Sequence, residues 1–142
     1  MTTSTVTADI RRLFDRYAET FATHDVDAIV ALHAPDSQFW LHLDSEPAVG
    51  REAIAETFAG FFAQWPKFGF EVYRVFTGPD HWVLDWALTA ELTGPDGSAA
   101  PVRFDCVDVV TVDADGLVDR KDTFVDYIQV QQALAAPTPA PG

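Results

Sequence analysis

The 142-residue chain predicts an α+β domain: a curved, mostly antiparallel sheet shaped as a cone, with one face covered by three N-terminal helices. Three observations carry this. Apolar residues recur at helical spacing through the first 65 residues. The period then changes to two over four successive runs. Those runs are separated by short Gly- and Pro-containing turns, which suit a meander. One domain spans 1–136, and the Pro-rich end Pro137–Gly142 reads as a disordered tail with no packing role.

The elements follow in order. Residues 1–6 are Thr-rich and read as a frayed end. From Asp9, Ile10, Leu13, Phe14, Tyr17 and Phe21 form one helical stripe. Asp25 is placed as the N-cap of a short second helix, with Val26, Ile29, Val30 and His33 on one face and Pro35 ending it. Ser37 to Leu43 reads as a strand. Gly50 opens a third helix carrying Ile54, Phe58, Phe61, Phe62 and Trp65, which Pro66 stops. Strands are expected at about 69–77, 81–93, 101–112 and 117–126, and a last helical turn or two over Ile128–Leu134.

Composition narrows the function. Aromatics make up 13% of the chain, including 11 Phe and 4 Trp, which is enough to line an internal pocket as well as fill a core. A net charge of -13 argues against nucleic acid and anionic membrane surfaces as partners. The single Cys106 excludes an internal disulfide and, in an apolar strand, reads as a buried inert thiol. No leader-like order of basic then apolar residues and no bilayer-length apolar run is present, so the expected location is the cytoplasm.

Asp108 lies inside Cys106-Val107-Asp108-Val109-Val110-Thr111-Val112, a β-branched run of buried character. A carboxylate there is costly unless it is paired, hydrogen-bonded or protonated. A four-residue loop over Asp113–Gly116 would set Val112 opposite Leu117 and so Asp108 opposite Lys121, giving a desolvated carboxylate–ammonium pair. Tyr17, on the apolar stripe of the first helix, is a buried phenol that needs a partner, either a ligand oxygen or backbone. Trp40 and His42 share one face of the first strand, and Phe39, Leu41 and Leu43 the other. If the former lines the pocket, His42 is the group there suited to base chemistry near neutrality. His33 reads as a core or rim residue, and His24 and His81 as exposed. On the last strand Lys121, Thr123 and Val125 alternate with Asp122, Phe124 and Asp126. Only one set can face inward without a bulge, and Lys121 is preferred. Phe58, Phe61, Phe62, Trp65 and Trp86 are expected to form core and pocket wall. The histidines show no metal-ligand spacing, and phosphate-loop and nucleophile-elbow patterns are missing. No metal or cofactor is therefore expected.

Several strings resemble the nuclear transport factor 2-like superfamily, which includes ketosteroid isomerases, SnoaL-type polyketide cyclases and limonene epoxide hydrolases. They are Asp15-Arg16-Tyr17, Asp25-Val26-Asp27-Ala28-Ile29-Val30-Ala31-Leu32, Ala34-Pro35-Asp36-Ser37, Glu46-Pro47-Ala48-Val49-Gly50-Arg51-Glu52-Ala53-Ile54, and Val107-Asp108-Val109-Val110 before Asp115-Gly116. The resemblance spans roughly residues 9–130 and implies a cystatin-like cone; it bears on fold more than on activity. In the isomerases, a helix tyrosine and a protonated strand aspartic acid donate to an enolate oxygen, a pairing that serves as the general illustration of a neutral catalytic carboxyl. Tyr17 and Asp108 fall at those positions. The isomerase base position corresponds to Leu41, with His42 beside it. Leu84-Asp85-Trp86-Ala87-Leu88 lacks the arginine of the epoxide hydrolases, and Phe21-Ala22 replaces the Tyr-Asp pair of scytalone dehydratase-like members. The cyclases often place an acid–base aspartate on the last strand, where Asp122 or Asp126 could serve.

The resulting expectation is a cofactor-independent acid/base enzyme of isomerase or cyclase type, acting on a small hydrophobic carbonyl compound. Its catalytic groups would be drawn from Tyr17, His42, Asp108, Lys121 and Asp122, and its substrate contacts from Phe21, His33, Trp40, Phe58, Phe62, Trp65 and Trp86. The alternative is a non-catalytic hydrophobic-ligand or accessory protein of the same fold. Val72, Val83 and Val109 on the outer sheet face suggest a homodimer.

Overall fold

The structure, a computed structural model, describes residues 2–43 and 45–135; the Pro-rich end lies outside the described residues. The elements are α1 (Thr2–Ala22), α2 (Val26–Ala31), β1 (His33–His42), β2 (Ala48–Val49), α3 (Arg51–Gln64), β3 (Gly69–Thr77), β4 (His81–Thr93), β5 (Ala99–Val112), β6 (Val118–Val125) and α4 (Tyr127–Ala135). The predicted α+β class is found, and the expected order of elements with it, apart from the two-residue strand β2, which is unanticipated. The stripe Ile10, Leu13, Phe14 and Tyr17 is buried, and α1 starts at Thr2, before the expected Asp9. Asp25 caps α2, its carboxylate accepting from the Ala28 amide at 3.1 Å.

β1 begins earlier than expected. Pro35 disfavours helical backbone at Ala34, so the chain extends from His33 onward. His33 is therefore the first residue of a strand and not part of a helical face. Gly50 takes φ +91° immediately before α3, a conformation that favours glycine. Ile54 and Phe58 of α3 are fully buried, and Phe61 and Phe62 are half-buried.

The six strands run in the order β2-β1-β6-β5-β4-β3 as an open, curved sheet. β1 and β6 are parallel and every other neighbouring pair is antiparallel. The β5–β6 register departs from expectation by two residues: Val112 faces Val118, Val110 faces Lys121, and Asp108 faces Thr123. One residue comes from the turn, where Asp113 N–H bonds Leu117 C=O at 2.8 Å and Gly116 takes φ +80°. The second comes from an irregularity between Thr111 and Val112 that leaves Asp119 unpaired in the ladder. A shift of two preserves the face, so Asp108, Lys121 and Thr123 all point inward and Lys121 sits diagonal to Asp108.

Inward side chains of β4 (Trp82, Leu84, Trp86, Leu88) and β5 (Val102, Phe104, Cys106, Val110) pack with α1 and α3 into one core. The outer face bears Val83 and Val109 opposite one another, with Phe76, Val107 and Phe124 exposed among charged pairs. Val72 is not part of it: it pairs with inward-facing Trp86 at the sheet edge. No helix among the described residues is long and apolar enough to cross a membrane.

Candidate functional site

Between α1, α3 and the concave face of the sheet lies a cavity of about 570 Å³, counted out into the solvent at its mouth. Its rim is made by half-buried Ala18 and Phe21 of α1, Phe61 and Phe62 of α3, and Phe70 of β3. Its walls are aromatic. The polar groups that reach it are Tyr17, Asp108, Lys121 and Thr123. An apolar enclosure with a few convergent polar groups is the usual form of a small-molecule site.

These groups are ordered by the alternation of β5 and β6. Asp108 is 3% exposed and Lys121 5%. The Lys121 ammonium lies 3.6 Å from Asp108 Oδ2 and donates to Tyr17 Oη at 3.4 Å. Both contacts are long for a charge-assisted bond, which runs at about 2.7–2.9 Å. Its remaining surroundings are rings: Nζ sits 4.2 Å from the centroid of Phe21, 4.7 Å from Tyr17, 5.5 Å from Phe58 and 5.9 Å from Phe39. Ring faces attract a cation, by up to about 2 kcal/mol where desolvated. They supply no lone pairs for its N–H groups. Burial lowers the Lys121 pKa from its ordinary value, and the Asp108 charge opposes that shift. Asp108 Oδ1 accepts from Thr123 Oγ1 at 2.8 Å.

A second line of contacts leads away from the cavity. Tyr17 Oη lies 2.8 Å from His33 Nε2, and His33 Nδ1 lies 2.9 Å from Ser37 Oγ. The His33 carbonyl accepts twice from the Arg51 guanidinium, at 2.9 and 2.7 Å. His33 is fully buried, and its pKa is lowered to about 3, chiefly by burial and then by the charges of Lys121 and Arg51. It is a neutral imidazole at physiological pH. Burial, with the Asp108 charge adding, pushes the Tyr17 phenol well up, so it keeps its proton.

The residues singled out in the sequence divide accordingly. Tyr17, Phe21, Phe58, Phe62, Trp86, Asp108 and Lys121 line the cavity. His33 stands behind Tyr17. Trp65 is buried in the core against Phe104, with ring centroids 5.1 Å apart, and is not among the lining residues. Trp40, His42 and Asp122 are on the opposite face of the sheet, because Phe39 is the inward residue of β1 and Lys121 of β6. There His42 Nε2 donates to Asp122 Oδ1 at 2.7 Å and stacks on Phe124 at 4.1 Å. The Arg120 guanidinium bonds both Asp122 oxygens, and this contact is the main cause holding that carboxyl below its usual range. Asp126 caps α4 by accepting from the Gln129 amide at 3.0 Å. His24, expected in solvent, bonds the Phe68 carbonyl at 2.7 Å and stacks on Phe62.

Thr123, Phe39 and Ser37 were not singled out. The first two carried a signal, since each alternates in phase with an inward neighbour. Ser37 carried none, as it reaches His33 through an irregular stretch of β1. Trp86 has an indole Nε1 that is buried without a hydrogen-bond partner. Cys106 is buried beside the site, and burial raises its thiol pKa, which makes it a poor nucleophile.

A family model described as a SnoaL-like domain matches residues 14–121, more than half of the chain. Among solved structures, a SnoaL-like polyketide cyclase candidate from Shewanella denitrificans OS-217 superposes with a TM-score of 0.74 at 18% identity, over 87% of this chain and 95% of that one. SalBIII, an epoxide hydrolase/cyclase-like enzyme in pyran ring formation in the polyether salinomycin, gives 0.71 at 20% identity, over 84% and 92%. A ketosteroid isomerase-like protein from Erwinia carotovora atroseptica SCRI1043 gives 0.60 at 21% identity, over 84% and 95%. At these identities the likeness concerns the fold. No curated protein matches the chain.

Proposed function

The chain belongs to the SnoaL-like domain family, and from that premise we propose that it is a cofactor-independent acid–base catalyst of isomerase or cyclase type, acting on a small apolar carbonyl compound. The observation that carries this is the meeting of Tyr17 Oη, Lys121 Nζ and Asp108 at a largely aromatic cavity wall. A carbonyl entering between the rings would find hydrogen-bond donors in the Tyr17 phenol and the Lys121 ammonium. Tyr17 donates to the developing oxyanion. Ser37 Oγ can donate to His33 Nδ1, which sets the ring proton on Nε2 and points it at Tyr17 Oη, leaving the phenolic hydrogen for the ligand. Asp108 and Lys121 accept and return the proton taken from the adjacent carbon. His42 and Asp122 have no part in this, because they lie behind the sheet.

The test is proton exchange at the activated carbon of an enolisable apolar ketone, 2-tetralone, in heavy water, followed by NMR. The expected result is exchange faster than in buffer, cut by about tenfold or more in Asp108→Asn, on the scale of a lost acid–base group, and unchanged in His42→Gln. Exchange no faster than buffer would overturn the catalytic reading. Saturable quenching of Trp82 and Trp86 by the same ketone without exchange would instead favour a ligand-binding protein.

A further inference from the structure

We propose that Lys121 is an amine nucleophile that forms a reversible iminium bond with an aldehyde or ketone held in the cavity. This deepens the reading above and rests on it, since it requires that the cavity take a carbonyl compound.

Four features of the site converge on it. Lys121 is placed on the cavity wall by the inward phase of β6, and its Nζ lies among the rings of Phe21, Tyr17 and Phe58 that line the same cavity. Its ammonium is poorly served: three N–H groups find two oxygen partners, both long, and four aromatic rings. A neutral amine loses far less in such surroundings than an ammonium does, because it has no full charge to desolvate. The lowered pKa of Lys121 agrees with this geometry. Finally, an acceptor and a donor for the protons that must move stand on either side, Asp108 Oδ2 at 3.6 Å and Tyr17 Oη at 3.4 Å.

The chemistry balances without any further reagent. Lys121 passes one proton to the Asp108 carboxylate, and the freed lone pair attacks the carbonyl carbon. A C–N bond forms, the C–O π bond breaks, and the oxygen takes a proton from Tyr17 or from Asp108 to give a carbinolamine. Loss of water, with a second proton delivered to the departing oxygen, leaves a C=N bond to Lys121. In sum, the carbonyl and Lys121–NH3+ give the protonated iminium and one water. The iminium acidifies the neighbouring C–H as a protonated carbonyl would, so Asp108 can remove that proton to form an enamine. Reprotonation and hydrolysis release product and restore the amine. Nothing is oxidised or reduced.

The chain contains a built-in control, because it has only two lysines. Lys67 is largely exposed and paired with Glu91 at 3.0 Å. The experiment is incubation of the full chain at pH 7 with 2-naphthaldehyde and sodium cyanoborohydride, which reduces an iminium to a stable secondary amine, followed by intact mass and peptide mapping. Tryptophan quenching by the aldehyde alone is read in parallel. Holding the aldehyde beside an amine raises its local concentration far above that in bulk, and Lys121, not Lys67, lies on the cavity wall. Labelling of Lys121 should therefore exceed that of exposed Lys67 by about tenfold or more, and the Lys121 adduct should vanish in Lys121→Arg and persist in Lys67→Arg. The comparison within the wild-type chain stands even if the Lys121 variant fails to fold. Quenching with label only on Lys67 or the N-terminus would overturn the nucleophile while leaving the carbonyl-binding reading intact. Neither quenching nor label on Lys121 would overturn both.

Discussion

His33 should make the protein acid-labile in a defined window. The imidazole is fully buried between Tyr17 and Ser37, and its pKa is lowered from 6.5 to about 3. In the unfolded chain the ring takes up a proton as pH falls through about 6.5, while in the folded chain it stays neutral until about 3. The unfolded state thus binds more protons between those values, and stability falls as pH falls. Between pH 7 and pH 5 the loss is RT ln(1 + 10^1.5) less the small value at pH 7, or about 2 kcal/mol. The folded value hardly enters this figure as long as it lies below about 4, so the result is insensitive to it. The assay is urea unfolding at pH 7 and pH 5 for the wild type and His33→Gln, read by tryptophan fluorescence. Comparing the two chains cancels the other titrating groups. The wild type should be the more stable at pH 7, by an amount that shrinks by about 2 kcal/mol at pH 5. A difference that does not change with pH would refute the neutral, buried imidazole.

Three other substitutions test the packing and the pairings around the cavity. Asp108→Asn removes the counter-charge of Lys121 and should cost about 3–5 kcal/mol at pH 7, with a smaller loss at pH 9, where the amine sheds its proton more readily; chemical denaturation at both pH values checks it. Phe58→Ala empties a fully buried position against Phe21, Phe39 and Lys121 and should cost about 3–5 kcal/mol by the same measurement. Asp25→Ala deletes the α2 cap and should cost about 1 kcal/mol, with ketone exchange unchanged.

The sheet was legible because period-two runs and turn residues agree over residues 69 to 112, and β3 and β4 have the expected bounds. β1 was harder. Pro35 stops a helix and permits an extended edge equally well, so His33 could be assigned to either element by pattern alone. The face of β1 was undecided for a different reason. Trp40, Leu41 and His42 follow Phe39 without a polar–apolar contrast, and only the pairing of Phe39 with Lys121 shows which side looks inward. The Asp108–Lys121 proximity was anticipated from the wrong register. A longer turn and one irregular step moved the strand by two residues, an error that leaves side chains on the same face. His42 and Asp122 do meet, but on the convex side. The Tyr17–His33–Ser37 line could not be read from spacing, because it joins a helix to an irregular strand start.

The parallel neighbour of β6 is β1, some eighty residues upstream, and the Tyr17–Lys121 contact joins positions 104 apart in the chain. Such loops close late, since their entropy is lost before any contact repays it. During synthesis the early helices and their phenylalanines must therefore wait, uncovered on one flank, until residue 121 has been made. The amine on β6 meets its rings on α1, β1 and α3 only in the event that brings these elements together. Variants that slow that event should aggregate rather than accumulate as a stable half-domain.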